Sequence, residues 1–155
     1  MWGAVCPRQR CGSPPRRDPG VPDRMGQGGA QVVAVVRVLV VDDQAIFLDA
    51  MRRVVGESSG FEVAGEASSG EESLVLASEL LPDLVLMDVN LPGIDGLEAT
   101  RQLRQADRPP VVLLLSTYDE DVGRDFAAES GAAAYATKSA LGPDLLEKVW
   151  STAAH

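Results

Sequence analysis

The stretch Asp83-Leu84-Val85-Leu86-Met87-Asp88 decides the fold. Four consecutive apolar residues between turn formers read as a strand buried on both faces. Asn90-Leu91-Pro92-Gly93 follows at once, so the strand stops at or just after Asp88. That carboxylate then stands at the rim of the sheet, at the strand's carboxyl end, where open parallel α/β sheets bind ligands. One Asp at a strand end is ordinary loop chemistry. A second strand makes the pattern informative: Val38-Leu39-Val40-Val41 runs straight into Asp42-Asp43.

Outward from these two strands the chain alternates strand and helix. A strand over 35–41 leads into a helix over 44–57, with Phe47, Met51, Val54 and Val55 on one side at helical spacing. Residues 61–67 alternate and read as a shorter strand nearer the sheet edge. A helix over 70–81 turns Leu74, Ala77 and Leu81 inward, and Pro82 closes it. After the strand at 84–88 come a helix over 96–105, a buried strand over 111–115 and a helix over 120–130 carrying Val122, Phe126 and Ala127. Gly131 ends that helix. A strand over 133–137 follows, then a helix that Pro143 opens, with Leu146, Val149 and Trp150 inward. Strands alternating with helices of this length predict an α/β fold, a doubly wound five-stranded parallel sheet with right-handed crossovers.

Charge divides the chain. Residues 1–35 hold five Arg and two acids, while the rest holds nine Lys or Arg and 21 acids. An acidic body opposes nonspecific nucleic-acid binding, which needs a basic face. It suits a divalent cation. Both cysteines, Cys6 and Cys11, fall in the first dozen residues, and the one His is residue 155, so no zinc set forms. A body without cysteine suits the cytosol. The longest apolar stretch, 32–41, is interrupted by Arg37, too short for a membrane span and needed as a strand. Residues 1–30 are rich in Pro, Gly and Arg without apolar periodicity and read as disordered. We expect residues 1–34 to be a disordered tail, of which residues 1–29 are dispensable or even a misassigned start, with Met25 just before the ordered part, and residues 35–153 to be the domain.

Four strand ends carry polar groups: Asp42-Asp43, Asp88, Ser116 and Lys138. In a parallel sheet these ends share one rim. Each has an ordinary explanation as a cap, a turn former or a solvated loop residue. Together, on strands otherwise apolar, they suggest placement. Two unit charges about 4 Å apart in a partly shielded site repel by ~4 kcal/mol. Converging carboxylates therefore raise one pKa or recruit a cation. Oxygen ligands without His or Cys indicate Mg²⁺, which takes one or two carboxylates and leaves another free as a nucleophile. A cation and a lysine beside it would neutralise a transferring phosphoryl group.

The segments VVDDQ at 40–44, LVLMDVNLPGIDG at 84–96, VLLLSTYDE at 112–120 and GAAAYATKSA at 131–140 resemble the receiver domain of bacterial two-component response regulators. The resemblance runs over residues 36–153, in order and with matching spacing. It implies a flavodoxin-like sheet with strand order 2-1-3-4-5. By the same resemblance, Asp88 corresponds to the phosphoacceptor. Asp43 and Asp88 correspond to the side-chain Mg²⁺ ligands, Asn90 to the residue lending its backbone carbonyl, and Asp42 to the acid acting through metal-bound water. Lys138 corresponds to the lysine on the phosphoryl oxygens, Ser116 to the switch hydroxyl and Tyr135 to the aromatic that turns with it. Ser116 replaces the commoner Thr and keeps the hydroxyl. Ser139 follows Lys138 where many receivers carry proline, the residue on which cis peptides depend.

The implied function is a phosphorylation-driven switch that passes a change to the face of the fourth helix, fifth strand and last helix. Its partners are a sensor histidine kinase or phosphotransfer protein, a downstream protein target and, on phosphorylation, a second copy of the chain; it has no membrane contact. Such receivers often precede a DNA-binding domain. The expectation here is a stand-alone receiver signalling by protein contact without binding DNA; the alternative is a receiver fragment of a DNA-binding regulator. Trp150 and Phe126 are candidates for the contact surface, with a core role as the competing reading. A different class, an aspartate-nucleophile Mg²⁺ phosphatase of the dehalogenase type, would carry Asp-x-Asp after its first strand. This chain has adjacent acids there and its best nucleophile on the third strand.

Overall fold

The computed structural model describes residues 34–117 and 120–153. The expectations for the tail, for Cys6 and Cys11 and for His155 fall outside the described residues. In chain order the elements are β1 (Val36–Val41), α1 (Ala45–Glu57), β2 (Phe61–Ala67), α2 (Gly70–Leu80), β3 (Leu84–Asp88), α3 (Gly96–Leu103), β4 (Val111–Ser116), α4 (Glu120–Ser130), β5 (Ala134–Thr137) and α5 (Pro143–Ala153), with a short 3-10 turn at Lys138–Ala140. The strands form the one parallel sheet that the strand–helix alternation predicts, in the order β2-β1-β3-β4-β5 that the resemblance implies.

The period-2 geometry of strands sorts the apolar runs onto two faces. Val36, Val38, Val40, Leu84 and Leu86 join Met51 and Val55 of α1 and Leu146 and Val149 of α5 in one cluster. Leu39, Val41, Val85 and Met87 join Ala77 of α2 and Ala99 and Leu103 of α3 in another. In β4 the same sorting puts Leu113 and Leu115 on the α1/α5 side and Val112 and Leu114 on the other. Each fully buried Leu or Val stabilises the fold by about 1.5–3 kcal/mol. Continued to the strand ends, the alternation assigns Asp42 and Asp88 to the α1/α5 side and Ser116 to the α2/α3 side. The ladder pairs Asp88 with Leu115, and Ser116 with Thr137.

Local chemistry starts and stops the helices. The Ser69 hydroxyl accepts the Glu72 N–H at 3.0 Å at the start of α2, and the Asp95 carboxylate accepts the Glu98 N–H at 2.9 Å at the start of α3. α2 ends one residue earlier than the sequence predicts. Leu81 is not inward: it adopts a left-handed cap (φ 50°) and is 61% exposed. The guanidinium of Arg37, reaching across from β1, donates to the Leu80 carbonyl, which closes the helix there. Val35 precedes β1 and is largely exposed, α3 stops at Leu103, and β4 runs on to Ser116. Phe47 also departs from expectation. It is only partly buried, and Leu48 takes the inward position ahead of Met51 and Val55. Trp150 and Phe126 are partly buried, packed against the first and second clusters respectively. Among the described residues there is no cis peptide, and no helix is long and apolar enough to cross a membrane.

α3 begins hard against the end of β3. A Cβ on Gly96 would lie 2.0 Å from the Asp88 carbonyl oxygen, while the Gly96 N–H donates to Val89 at 2.9 Å. No side chain fits between these two backbones. Gly96→Ala should lower stability by about 1–3 kcal/mol, the usual cost of overpacking, read as an earlier urea midpoint by circular dichroism. An unchanged midpoint would mean that α3 does not seat on the Asp88 backbone.

Candidate functional site

Three strand ends converge on one small acidic cup. Asp42 follows β1, Asp88 ends β3 and Lys138 follows β5. Asp42, Asp43 and Asp88 each place a carboxylate oxygen within 4.8 Å of the others. Asp42 is 0% exposed and Asp88 2%, whereas Asp43 opens to solvent. Backbone contacts hold Asp42 in place: its N–H donates to Ala67 at 3.1 Å, and its Oδ1 accepts the Gln44 N–H at 2.9 Å. Lys138 Nζ lies 2.8 Å from Asp42 Oδ2 and 3.4 Å from Asp88 Oδ1.

The charges do not balance. Two buried carboxylates face one ammonium, and Asp43 adds a third negative group at the mouth. Burial pushes the Asp88 carboxyl up to about 6, and the neighbouring Asp42 charge pushes the same way. The Lys138 ammonium and the Asn90 N–H oppose this, and the first two effects win. Asp42 Oδ2 is buried beside the ammonium yet accepts no aligned hydrogen bond. An oxygen-only donor set with negative charge in excess fits a small hard divalent cation.

Asn90 lies in the exposed loop two residues beyond Asp88, with its backbone N–H on the Asp88 carboxylate. Ser116 is fully buried at the end of β4. Tyr135 of β5 is partly buried against the α2/α3 cluster, and its ladder partner is Leu114. The predicted residues therefore divide. The acids and Lys138 come together in the cup, while Ser116 and Tyr135 sit on neighbouring strands of the opposite face.

Sequence reasoning misses two contacts around these groups. The Phe47 ring centroid lies 3.7 Å from Lys138 Nζ. Its apolar character at helical spacing gives no sign of this. Gly123 of α4 lies against Tyr135: a Cβ there would stand 1.8 Å from the ring. A lone glycine inside a helical pattern is the signal that could have found it.

The raised Asp88 carboxyl has a stability consequence. The folded chain keeps that proton up to about pH 6, whereas the unfolded chain releases it near the ordinary 3.8. Between those values the folded state binds more protons, so stability falls as pH rises. In chelator-treated buffer the melting temperature should drop across that window. Asp88→Asn should flatten the profile and stabilise the fold at neutral pH, by at most ~3 kcal/mol for a shift of this size. A wild-type profile that rises between pH 4 and 6 would contradict the assignment.

Comparison with known proteins agrees with this geometry. A family model, the response regulator receiver domain, matches residues 38–150. The response regulator GacA of Pseudomonas viridiflava is 45% identical over 106 residues, covering 68% of this chain and 50% of that protein. The response regulator UvrY of Escherichia coli K12 is 32% identical over 117 residues, covering 76% of this chain and 54% of its own length. The chain thus spans about half the length of the curated relatives it matches. Among solved structures, the signal receiver domain of the putative response regulator NarL from Mycobacterium tuberculosis superposes with a TM-score of 0.70 at 33% identity. The match covers 77% of this chain and 97% of that one. Family model, relatives, strand order and acidic cup agree: the chain belongs to the response regulator receiver domains of two-component signalling.

Proposed function

We propose that Asp88 accepts a phosphoryl group from the phosphohistidine of a sensor histidine kinase or phosphotransfer protein. The observation that carries this is a buried carboxylate with a lysine ammonium 3.4 Å away and two further acids at the same rim. A carboxylate oxygen of Asp88 attacks phosphorus as the bond from phosphorus to the histidine nitrogen breaks. The departing imidazole takes up a proton. Lys138 follows the incoming oxygens and offsets their charge. Asp43, Asp88 and the Asn90 carbonyl would hold Mg²⁺, with Asp42 acting through water. The ion, when bound, supplies positive charge against the transferring oxygens. The chain's own chemistry is then self-phosphorylation and self-dephosphorylation.

Ser116 gains a new acceptor when Asp88 is phosphorylated, and Tyr135 turns with it. The face of α4, β5 and α5 changes in response. Residues 35–153 form this switch, residues 1–29 are dispensable to it, and it works in the cytoplasm. Its downstream target is a protein, and phosphorylation permits a homodimer. The acidic body supports signalling by protein contact without DNA binding. The half-length match to the relatives favours a second reading, the receiver portion of a longer DNA-binding regulator.

Incubation with acetyl phosphate and Mg²⁺ should add one phosphoryl group to the wild-type chain, read by intact mass. Asp88→Asn or an excess of chelator should reduce labelling to background. Full labelling of Asp88→Asn would exclude Asp88 as the acceptor, and sustained release of phosphate from a phosphomonoester would favour an aspartate-nucleophile phosphatase instead. Lys138→Ala should still bind Mg²⁺ but fail to couple labelling to the α4–β5–α5 face, followed by amide NMR shifts; wild-type shift changes in that variant would contradict the role.

A further inference from the structure

Phe47 stands where helical spacing expects a core residue, yet among the described residues it belongs to neither apolar cluster. Leu48, Met51 and Val55 line the inward stripe of α1. Phe47 stands four residues before Met51 and seven before Val54, on the flank of that stripe. It lies in the first turn of α1, immediately after the Asp42-Asp43 rim. There its ring centroid is 3.7 Å from Lys138 Nζ, within range of the attraction between a cation and an aromatic face. The same ammonium lies between Asp42 and Asp88, and the Lys138 side chain is only 12% exposed.

We propose that Phe47 is a positioning residue for Lys138, and that its ring seats the ammonium independently of the charge on Asp88. The proposal rests on Asp88 being the phosphoacceptor. Lysine carries its charge on a flexible four-carbon stem, so its location is set by what surrounds it. Asp88 holds the ammonium only while it is ionised, and Asp42 competes from 2.8 Å. The ring's attraction changes with neither. A ring also accepts no conventional hydrogen bond, so it leaves the ammonium's protons for incoming phosphoryl oxygens. A carboxylate in its place would take them, and an aliphatic side chain of similar bulk would fill the space without attraction.

The chain contains two lysines, Lys138 and Lys148, and Lys148 is exposed on α5, which makes it an internal reference. The test uses the full chain labelled with ¹³C-lysine, as wild type, Phe47→Tyr and Phe47→Leu. Ring-current shielding should move the Lys138 ε-methylene protons upfield of those of Lys148 in wild type and Phe47→Tyr, and the two should coincide in Phe47→Leu. Labelling by acetyl phosphate with Mg²⁺ should slow roughly three- to tenfold in Phe47→Leu and stay within about twofold in Phe47→Tyr. Phe47→Met replaces the Leu variant if circular dichroism shows that variant unfolded. Wild-type labelling rates in the aliphatic variant, or a Lys138 shift that ignores loss of the ring, overturns the proposal while Asp88 remains the acceptor. A shielded Lys138 in a wild-type chain that cannot be labelled overturns the acceptor reading, and this proposal with it.

Discussion

Negative charge is crowded into a corner of the molecule that water barely reaches. Two carboxylates with almost no exposure share one ammonium, and a third waits at the mouth. At about 4 Å in such surroundings two like charges cost ~4 kcal/mol, a large share of the 5–15 kcal/mol by which a domain typically outweighs its unfolded state. The rest of the architecture serves to hold this unfavourable group together. The sheet contributes long buried apolar strands on both faces, backbone N–H groups fix Asp42, and α3 is pressed against the Asp88 backbone. A site strained in this way responds to anything that removes negative charge or brings positive charge.

The two ends of β3 contrast. At its amino end, Asp83 accepts the Arg37 N–H at 3.0 Å and donates its own N–H to the Arg37 carbonyl at 2.8 Å, while its carbonyl takes the Val111 N–H at 3.0 Å. Every charge there is paired with backbone or with the end of α2. At the carboxyl end, Asp88 is left with a charge excess and a raised pKa. Two aspartates five residues apart in the same short segment thus have opposite roles. The fold is fastened at one rim and kept reactive at the other.

Most of this layout is legible in the sequence because apolar runs that break on a polar residue are unusual. The runs ending at Asp42, Asp88 and Ser116, with helical spacing between them, establish strands, a parallel sheet and a common rim before any contact is known, while the order of the strands comes from the family resemblance. The two faces follow from alternation alone. What escapes is tertiary. Phe47 has the hydrophobicity and nearly the spacing of a core residue, and only the path of Lys138 off β5 reveals its other contact. Leu81 adopts a left-handed conformation more usual for glycine, just before Pro82 and beside a helix-end carbonyl taken by an arginine from another strand. Gly96 and Gly123 look like weak points in helices until the backbone of Asp88 and the ring of Tyr135 are seen to occupy the missing side-chain volume.

The sorting of strand residues by parity has a further consequence. Asp42, Asp88 and Lys138 draw on one layer of helices for support, while Ser116 and Tyr135 draw on the other, although all five sit within a few residues of the same edge. Helices α2 and α4, and α3 beyond the Gly96 that seats on the Asp88 backbone, can therefore drift in sequence, and with them whatever surface they offer, without disturbing the packing beneath the acids. Under such an arrangement a lineage is free to acquire new listeners while the chemistry they listen to stays unaltered.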